Sequence, residues 1–151
     1  MKKNTLEQKT IIAFAADHAG YEMKNALIAA LPELGDFIAL DLGTNSADSV
    51  DYPDYANLAA HSILTGKAQL AVIVCGSGVG ISIAANRHAG IRAALCTHGL
   101  IAKLAREHND ANILALGARM IGVDVAKDCL KAFLLTQFSG GRHENRVKKL
   151  G

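Results

Sequence analysis

Strand-like and helix-like segments alternate along this 151-residue chain, which predicts an α/β fold: a Rossmann-like three-layer α/β/α sandwich around a five-stranded parallel sheet. Three observations carry the prediction. Short apolar runs rich in β-branched residues, such as Leu70 to Val74, have the length and composition of strands buried on both faces. The longer segments between them place apolar residues at helical spacing. With 50% of residues hydrophobic and 20% charged, the composition suits one compact domain with an ample core, and no repeat or linker interrupts it.

Residues 1–9, MKKNTLEQK, read as a polar N-terminal extension with no assigned element, and residues 10–151 as the single domain. Thr10 to Ala16 is the first apolar run and the first strand. Asp17 follows it, at a place where Asp commonly caps a helix, and Ala19 to Leu34 carries the first helical pattern. Phe37 to Leu42 is the second strand and Pro53 to Thr65 the second helix. Leu70 to Val74, the third strand, runs through a glycine-rich loop into a helix over Gly80 to His88. Ile91 to Leu95 is the fourth strand. It leads to a helix over His98 to His108, after which Asn109 suits the left-handed cap. Ile113 to Leu116 is the fifth strand and Val123 to Phe138 the last helix. The tail from Gly140 reads either as a solvated end or as a binding element.

Several function classes are excluded at this point. A formal net charge of +2, without basic runs interleaved with aromatics, argues against nucleic acid as a partner. The first nine residues lack an apolar core of the signal-peptide kind, and no apolar stretch is long enough to span a bilayer, so a cytoplasmic protein is expected, with no membrane partner. Three cysteines, at positions 75, 96 and 129, make no disulfide framework and no Cys-x-x-Cys pair, so all are expected to be reduced.

Ligands of open α/β sheets bind outside the carboxyl ends of the strands. That edge collects Asp17 and His18 after the first strand, Cys75 after the third, Thr97 and His98 after the fourth, and Ala118 and Arg119 after the fifth. Cys75 is followed at once by Gly76, Ser77, Gly78, Val79 and Gly80. Three glycines in five residues let the backbone turn its N–H groups inward, beside the N-terminus of the next helix. Such a loop suits phosphate, carboxylate or an enediolate, and the helix N-terminus favours thiolate over thiol.

Each of these residues has a plainer reading. Cysteine is often a small buried hydrophobe, and glycines also serve tight strand-to-helix turns. The loop is neither a dinucleotide fingerprint, which needs Gly where Ile81 stands, nor a Walker loop, which needs Gly-Lys-Ser/Thr, and no arginine closes it as in a tyrosine-phosphatase loop. His18 and His98 equally suit ordinary surface positions, and Arg119 a pairing with a surface acid. His108 either solvates the last carbonyls of its helix or, protonated there, serves as a general acid. Gly140 and Gly141, with Arg142 and Arg146 one helical turn apart, suit a phosphate clamp.

Together the motifs resemble the type B ribose-5-phosphate isomerase family, which also holds allose-6-phosphate isomerase and the galactose-6-phosphate isomerase subunits. The resemblance runs from Lys9 to Val147. Its markers are Asp17-His18, Asp51-Tyr52-Pro53, Cys75 to Ser82, His108-Asn109-Asp110, Gly117-Ala118-Arg119, and Gly140 to His143 with Arg146. It implies an aldose–ketose isomerisation without metal or cofactor, through a cis-enediolate. On that basis Cys75 is the base between C2 and C1, and Gly76, Ser77, Gly78, Val79 and Gly80 hold the enediolate oxygens. His108 is the ring-opening acid, Asn109 binds substrate beside it, Asp17 and His18 contact sugar hydroxyls, and Arg119, Arg142 and Arg146 take the phosphate. His98 rivals His108 because it shares the strand edge with Cys75. Many relatives carry threonine where Ser77 stands, which keeps the hydroxyl. The resemblance also implies a homodimer or homotetramer with shared sites. Allose 6-phosphate or galactose 6-phosphate is the alternative substrate; a covalent thiol enzyme and a flavodoxin-like binding module are the alternatives of other classes.

Overall fold

The computed structural model describes residues 8–151; residues 1–7 of the polar extension lie outside the described residues. The chain runs β1 (Thr10–Ala16), α1 (Tyr21–Ala30), β2 (Phe37–Asp41), α2 (Tyr52–Leu64), β3 (Leu70–Cys75) and α3 (Val79–Asn86). It continues with β4 (Ala93–Leu95), α4 (Gly99–Asn109), β5 (Ile113–Gly117), α5 (Val123–Leu135) and α6 (His143–Leu150). The five strands form one parallel sheet in the order β2-β1-β3-β5-β4. This is the predicted three-layer sandwich.

Alternation along the strands divides the core between the two faces. Ile12 and Phe14 of β1, Val72 and Val74 of β3, and Leu114 and Leu116 of β5 pack with Leu27 of α1, Ala102 of α4, and Leu130 and Phe133 of α5. Ala13, Ala15, Ile73, Cys75 and Ala115 face the other way, onto Ala56, Ala59 and Ala60 of α2 and Ile81 and Ala85 of α3. Each fully buried Leu, Ile or Phe contributes about 1.5–3 kcal/mol relative to exposure. Among the described residues no helix is long and apolar enough to cross a membrane.

Element boundaries differ from the sequence expectation for local reasons. α1 stops at Ala30, and a 3-10 turn over Leu31–Leu34 follows, because Pro32 has no N–H to continue the α-helical ladder. β4 starts at Ala93 instead of Ile91, since the Ile91 N–H closes a turn onto the His88 carbonyl and the Arg92 N–H goes to the Asn112 side chain. α5 ends at Leu135, and Thr136 is already extended, so Phe138 lies beyond it. The tail forms a further helix, α6, with no buried residue and therefore none of the apolar spacing that marks the other helices.

Candidate active site

β1 leads outward to β2 while β3 leads the other way, so the crevice of the sheet opens between β1 and β3 at their carboxyl ends. The Asp17 N–H crosses this gap to the Val74 carbonyl at 3.2 Å, which brings Asp17 beside Cys75. Asp17 is buried, and its Oδ1 accepts the Gly20 N–H at 3.1 Å; it closes the turn ahead of α1, whose N-cap is Gly20. His18 Nδ1 accepts the Val50 N–H at 3.2 Å and so holds the long connection after β2 against the site. Asp17 and His18 line a cleft with Val50, Asp51, Tyr52 and Pro53.

Cys75 is the last residue of β3 and only 4% exposed. The Gly78 N–H donates to its Sγ at 3.1 Å, and α3 begins at the next residue, so the sulfur faces both a backbone donor and a helix N-terminus. Gly78 is left-handed with φ 79°, and a Cβ there would meet Leu95 Cδ1 and the Leu116 backbone; only glycine fits. The Ser77 hydroxyl accepts the Val79 N–H at 3.1 Å. The loop after β5 is strapped alongside: the Ala118 and Arg119 N–H groups donate to the Cys75 and Gly76 carbonyls, each at 2.9 Å. The Arg119 guanidinium lies over Gly76, and among the described residues it pairs with no acid. Tyr52 is a site-edge residue that strand-end reasoning does not reach. Its ring sits so close to Gly80 that a Cβ there would lie 2.7 Å from Cε2, and the only trace in the sequence is Asp51-Tyr52-Pro53. Among the described residues no group of three or more His, Cys, Asp or Glu side chains is arranged to hold a metal ion.

The second cluster is built on the last turn of α4, which carries His108 and Asn109. The left-handed cap expected of Asn109 falls one residue later, on Asp110 with φ 45°. Two arginines brace this corner: Arg106 Nη1 donates to Asp110 Oδ1 at 2.9 Å, and Arg92 Nε donates to the Asn109 and Asp110 carbonyls at 3.1 and 3.0 Å. Asn109 lines a second cleft with Asn86, Arg92, Ala94 and Leu150. α6 folds back against the same corner. Its His143 ring stacks on His108, with centroids 4.4 Å apart and planes 17° from parallel. Partial desolvation of its half-exposed ring, and then the proximity of His108, Arg142 and Arg146, lower the His143 pKa from the ordinary histidine value, with Glu107 opposing. Arg142 is the N-cap of α6 and Arg146 follows one turn on, both exposed.

A model of the ribose/galactose isomerase family matches residues 12–150. The chain belongs to that family. It is 45% identical over 139 residues to ribose-5-phosphate isomerase B of Escherichia coli (strain K12), covering 92% of this chain and 93% of that protein. It is 39% identical over 140 residues to D-erythrulose-4-phosphate isomerase of Pectobacterium atrosepticum, covering 93% and 92%. Among solved structures, ribose-5-phosphate isomerase B of Clostridium thermocellum superposes with a TM-score of 0.91 at 45% identity, over 94% of this chain and 95% of that one. As a ribose/galactose isomerase, the chain is a sugar-phosphate isomerase.

In this isomerase the two clusters lie at opposite edges of the sheet. All strands run parallel, so helices that leave their carboxyl ends return to their amino ends. Cys75 pairs with Gly117 at the end of β5, whereas His108 and Asn109 precede Ile113 at its start. The strand alone separates the edges by about 13 Å, at roughly 3.3 Å per residue. One chain therefore groups Asp17, His18, Cys75 to Gly80 and Arg119 at one edge, and His108, Asn109, Arg142 and Arg146 at the other. His98, the N-cap of α4 and exposed, sits with the Cys75 group.

Proposed function

We propose that this isomerase interconverts ribose 5-phosphate and ribulose 5-phosphate through a cis-enediolate, in sites that two subunits complete. The observation that carries the reading is the Gly78 N–H at 3.1 Å from Cys75 Sγ, beside the N-terminus of α3. This places the sulfur where a backbone donor and a helix N-terminus meet, at the carboxyl end of β3, in position to serve as the base. The thiolate takes the proton from C2 of the open-chain aldose and returns it at C1, while the hydroxyl proton moves from O2 to O1. Negative charge on the enediolate faces the Gly76–Gly80 loop and the N-terminus of α3; preorganised backbone donors of this kind are worth roughly a hundredfold or more in rate. Ring opening precedes this step: His108 gives its proton to the ring oxygen as the C1–O4 bond breaks, and the proton of the anomeric hydroxyl leaves to water.

The split between the edges supports sharing of sites. A base at the Cys75 edge and an acid at the His108 edge act on one sugar only when a second copy brings its own α4 corner to the first copy's glycine loop. In that arrangement Asn109 contacts the sugar beside His108, Asp17 and His18 hold hydroxyls from the Cys75 side, and Arg119, Arg142 and Arg146 take the phosphate, a role for which forked guanidinium donors are suited. Side chains suited to a covering subunit stand on both helices concerned: Val79 and Ile83 on α3, and Leu100 on α4, are apolar and exposed.

The test is turnover of ribose 5-phosphate by the purified protein in EDTA, beside allose and galactose 6-phosphates, for the unchanged chain and Cys75→Ala. Pentose turnover that Cys75→Ala abolishes, with sugar-phosphate binding retained, supports the reading. Turnover of a hexose phosphate alone moves the substrate, and appreciable turnover by Cys75→Ala removes Cys75 as the base.

A further inference from the structure

We propose that His143 is a positioning residue for ring opening: its ring, stacked on His108, sets the orientation of the acid and ties it to the helix that carries Arg142 and Arg146. The inference rests on the reading of His108 as the ring-opening acid and adds a residue to it.

The geometry begins with the paired glycines. Gly140 and Gly141 are both left-handed, with φ 65° and 58°, and the Ser139 N–H is anchored on the Glu107 carbonyl at 3.1 Å. Together they reverse the chain after α5 and deliver His143, at the first position of α6, onto the last turn of α4. There the two rings are nearly parallel at 4.4 Å. A histidine at the end of a helix has a broad, weakly defined ring torsion when nothing packs on it. A stacked partner removes that freedom without occupying either ring nitrogen of His108. Misplacing a reacting group by about 1 Å costs on the order of a hundredfold, so a fixed ring plane matters for proton delivery.

Charge suits this role. The groups facing His143 are His108 and Glu107 from α4 and Arg142 and Arg146 from its own helix. Partial desolvation and these cationic neighbours disfavour a proton on His143, which lessens repulsion with the acid it stacks on. Because Arg142 and Arg146 flank His143 on the same helix, a phosphate held by them also steadies the stack.

Ring opening can be read without isomerisation, as exchange between the α and β anomers of ribose 5-phosphate, by NMR saturation transfer in the Cys75→Ala enzyme. In that background His108→Asn is expected to abolish catalysed exchange. His143→Ala is expected to lower it about tenfold, within the hundredfold or more that a placed general acid supplies, and His143→Phe, which keeps a stacking ring, to restore it. The Kd for ribose 5-phosphate is expected to stay within about twofold in both His143 variants. Exchange unaffected by His143→Ala, no rescue by phenylalanine, or a loss explained by weaker binding overturns the inference and leaves His108 in place. Exchange that His108→Asn does not touch overturns the ring-opening reading of His108, and this inference with it.

Discussion

Cys75, Cys96 and Cys129 are all free and buried, but only Cys75 has surroundings that suit an anion. Cys96 and Cys129 lie in the core on the α4 and α5 side. Burial first, and then the nearby Cys129, pushes the Cys96 thiol up to about 12. Burial and then Asp128 push Cys129 up to about 11, against a backbone hydrogen bond that pulls the other way. Both are thiols throughout the neutral range and therefore poor nucleophiles. Cys75 instead accepts an N–H at the mouth of a helix. Iodoacetamide at about pH 8 is accordingly expected to modify Cys75 first and to abolish turnover, with Cys96 and Cys129 labelled only after denaturation. Peptide mass spectrometry along the inactivation time course checks this; early label on Cys96 with activity retained would refute it.

At the scale of elements, the loop from β3 into α3 depends on one glycine. Gly78→Ala forces a left-handed alanine and drives a methyl group toward Leu95 and the Leu116 backbone. It is expected to destabilise the fold by about 1–3 kcal/mol and, by displacing the N–H on Cys75, to lower kcat by roughly a hundredfold. Gly122→Ala is the control: φ is −80° and nothing lies within 4 Å of the added carbon, and the N-cap preference for glycine over alanine opposes the entropy alanine removes from the unfolded chain, so the net change should stay within about 0.5 kcal/mol. Thermal melts and initial rates on both variants decide it. α6 carries a pH dependence of definite sign. Docked His143 binds its proton less readily than the ordinary 6.5, so an undocked tail takes up more protons as pH falls below that value. Docking is at full strength above about 6.5 and weakens toward the lower docked value. An NMR titration should place the His143 midpoint below 6.5; a midpoint at or above it would contradict the packing seen.

These elements also show what the sequence made legible. The strands, the glycine loop and the strand-end residues Asp17, Cys75 and Arg119 follow from local pattern, because a parallel sheet sends every strand end to one edge. The helix at the tail does not, since α6 buries no residue and has no apolar stripe. Nor does the cap at Asp110, where Arg92 from ahead of β4 reaches its carbonyl beside the local Arg106 contact on α4. The stack of His143 on His108 was equally hidden, because it depends on a chain reversal through two left-handed glycines.

At the scale of the whole molecule, the proposed base and the proposed ring-opening acid lie at opposite ends of one parallel sheet, and the proposed function joins them through a second copy of the chain. Under that proposal, each subunit of a two-fold dimer gives its glycine loop to one site and its α4 corner to the other. Such a site can be rebuilt from two broken chains. Cys75→Ala and His108→Asn subunits, each inactive on ribose 5-phosphate alone, would form heterodimers in which one site takes Cys75 from the second chain and His108 from the first. The other site carries both lesions. With random exchange, half of the dimers are mixed and half of their sites are intact, so about a quarter of the unmutated rate is expected to return. Were both groups drawn from a single chain, every site in the mixture would carry one lesion and no exchange would restore turnover. Mixing the two variants under mild denaturation, refolding, and assaying against each variant refolded alone gives the answer. Recovery near a quarter supports sites shared across the subunit boundary, whereas refolded dimers without recovery would assign base and acid to one chain, against the separation that the parallel sheet imposes.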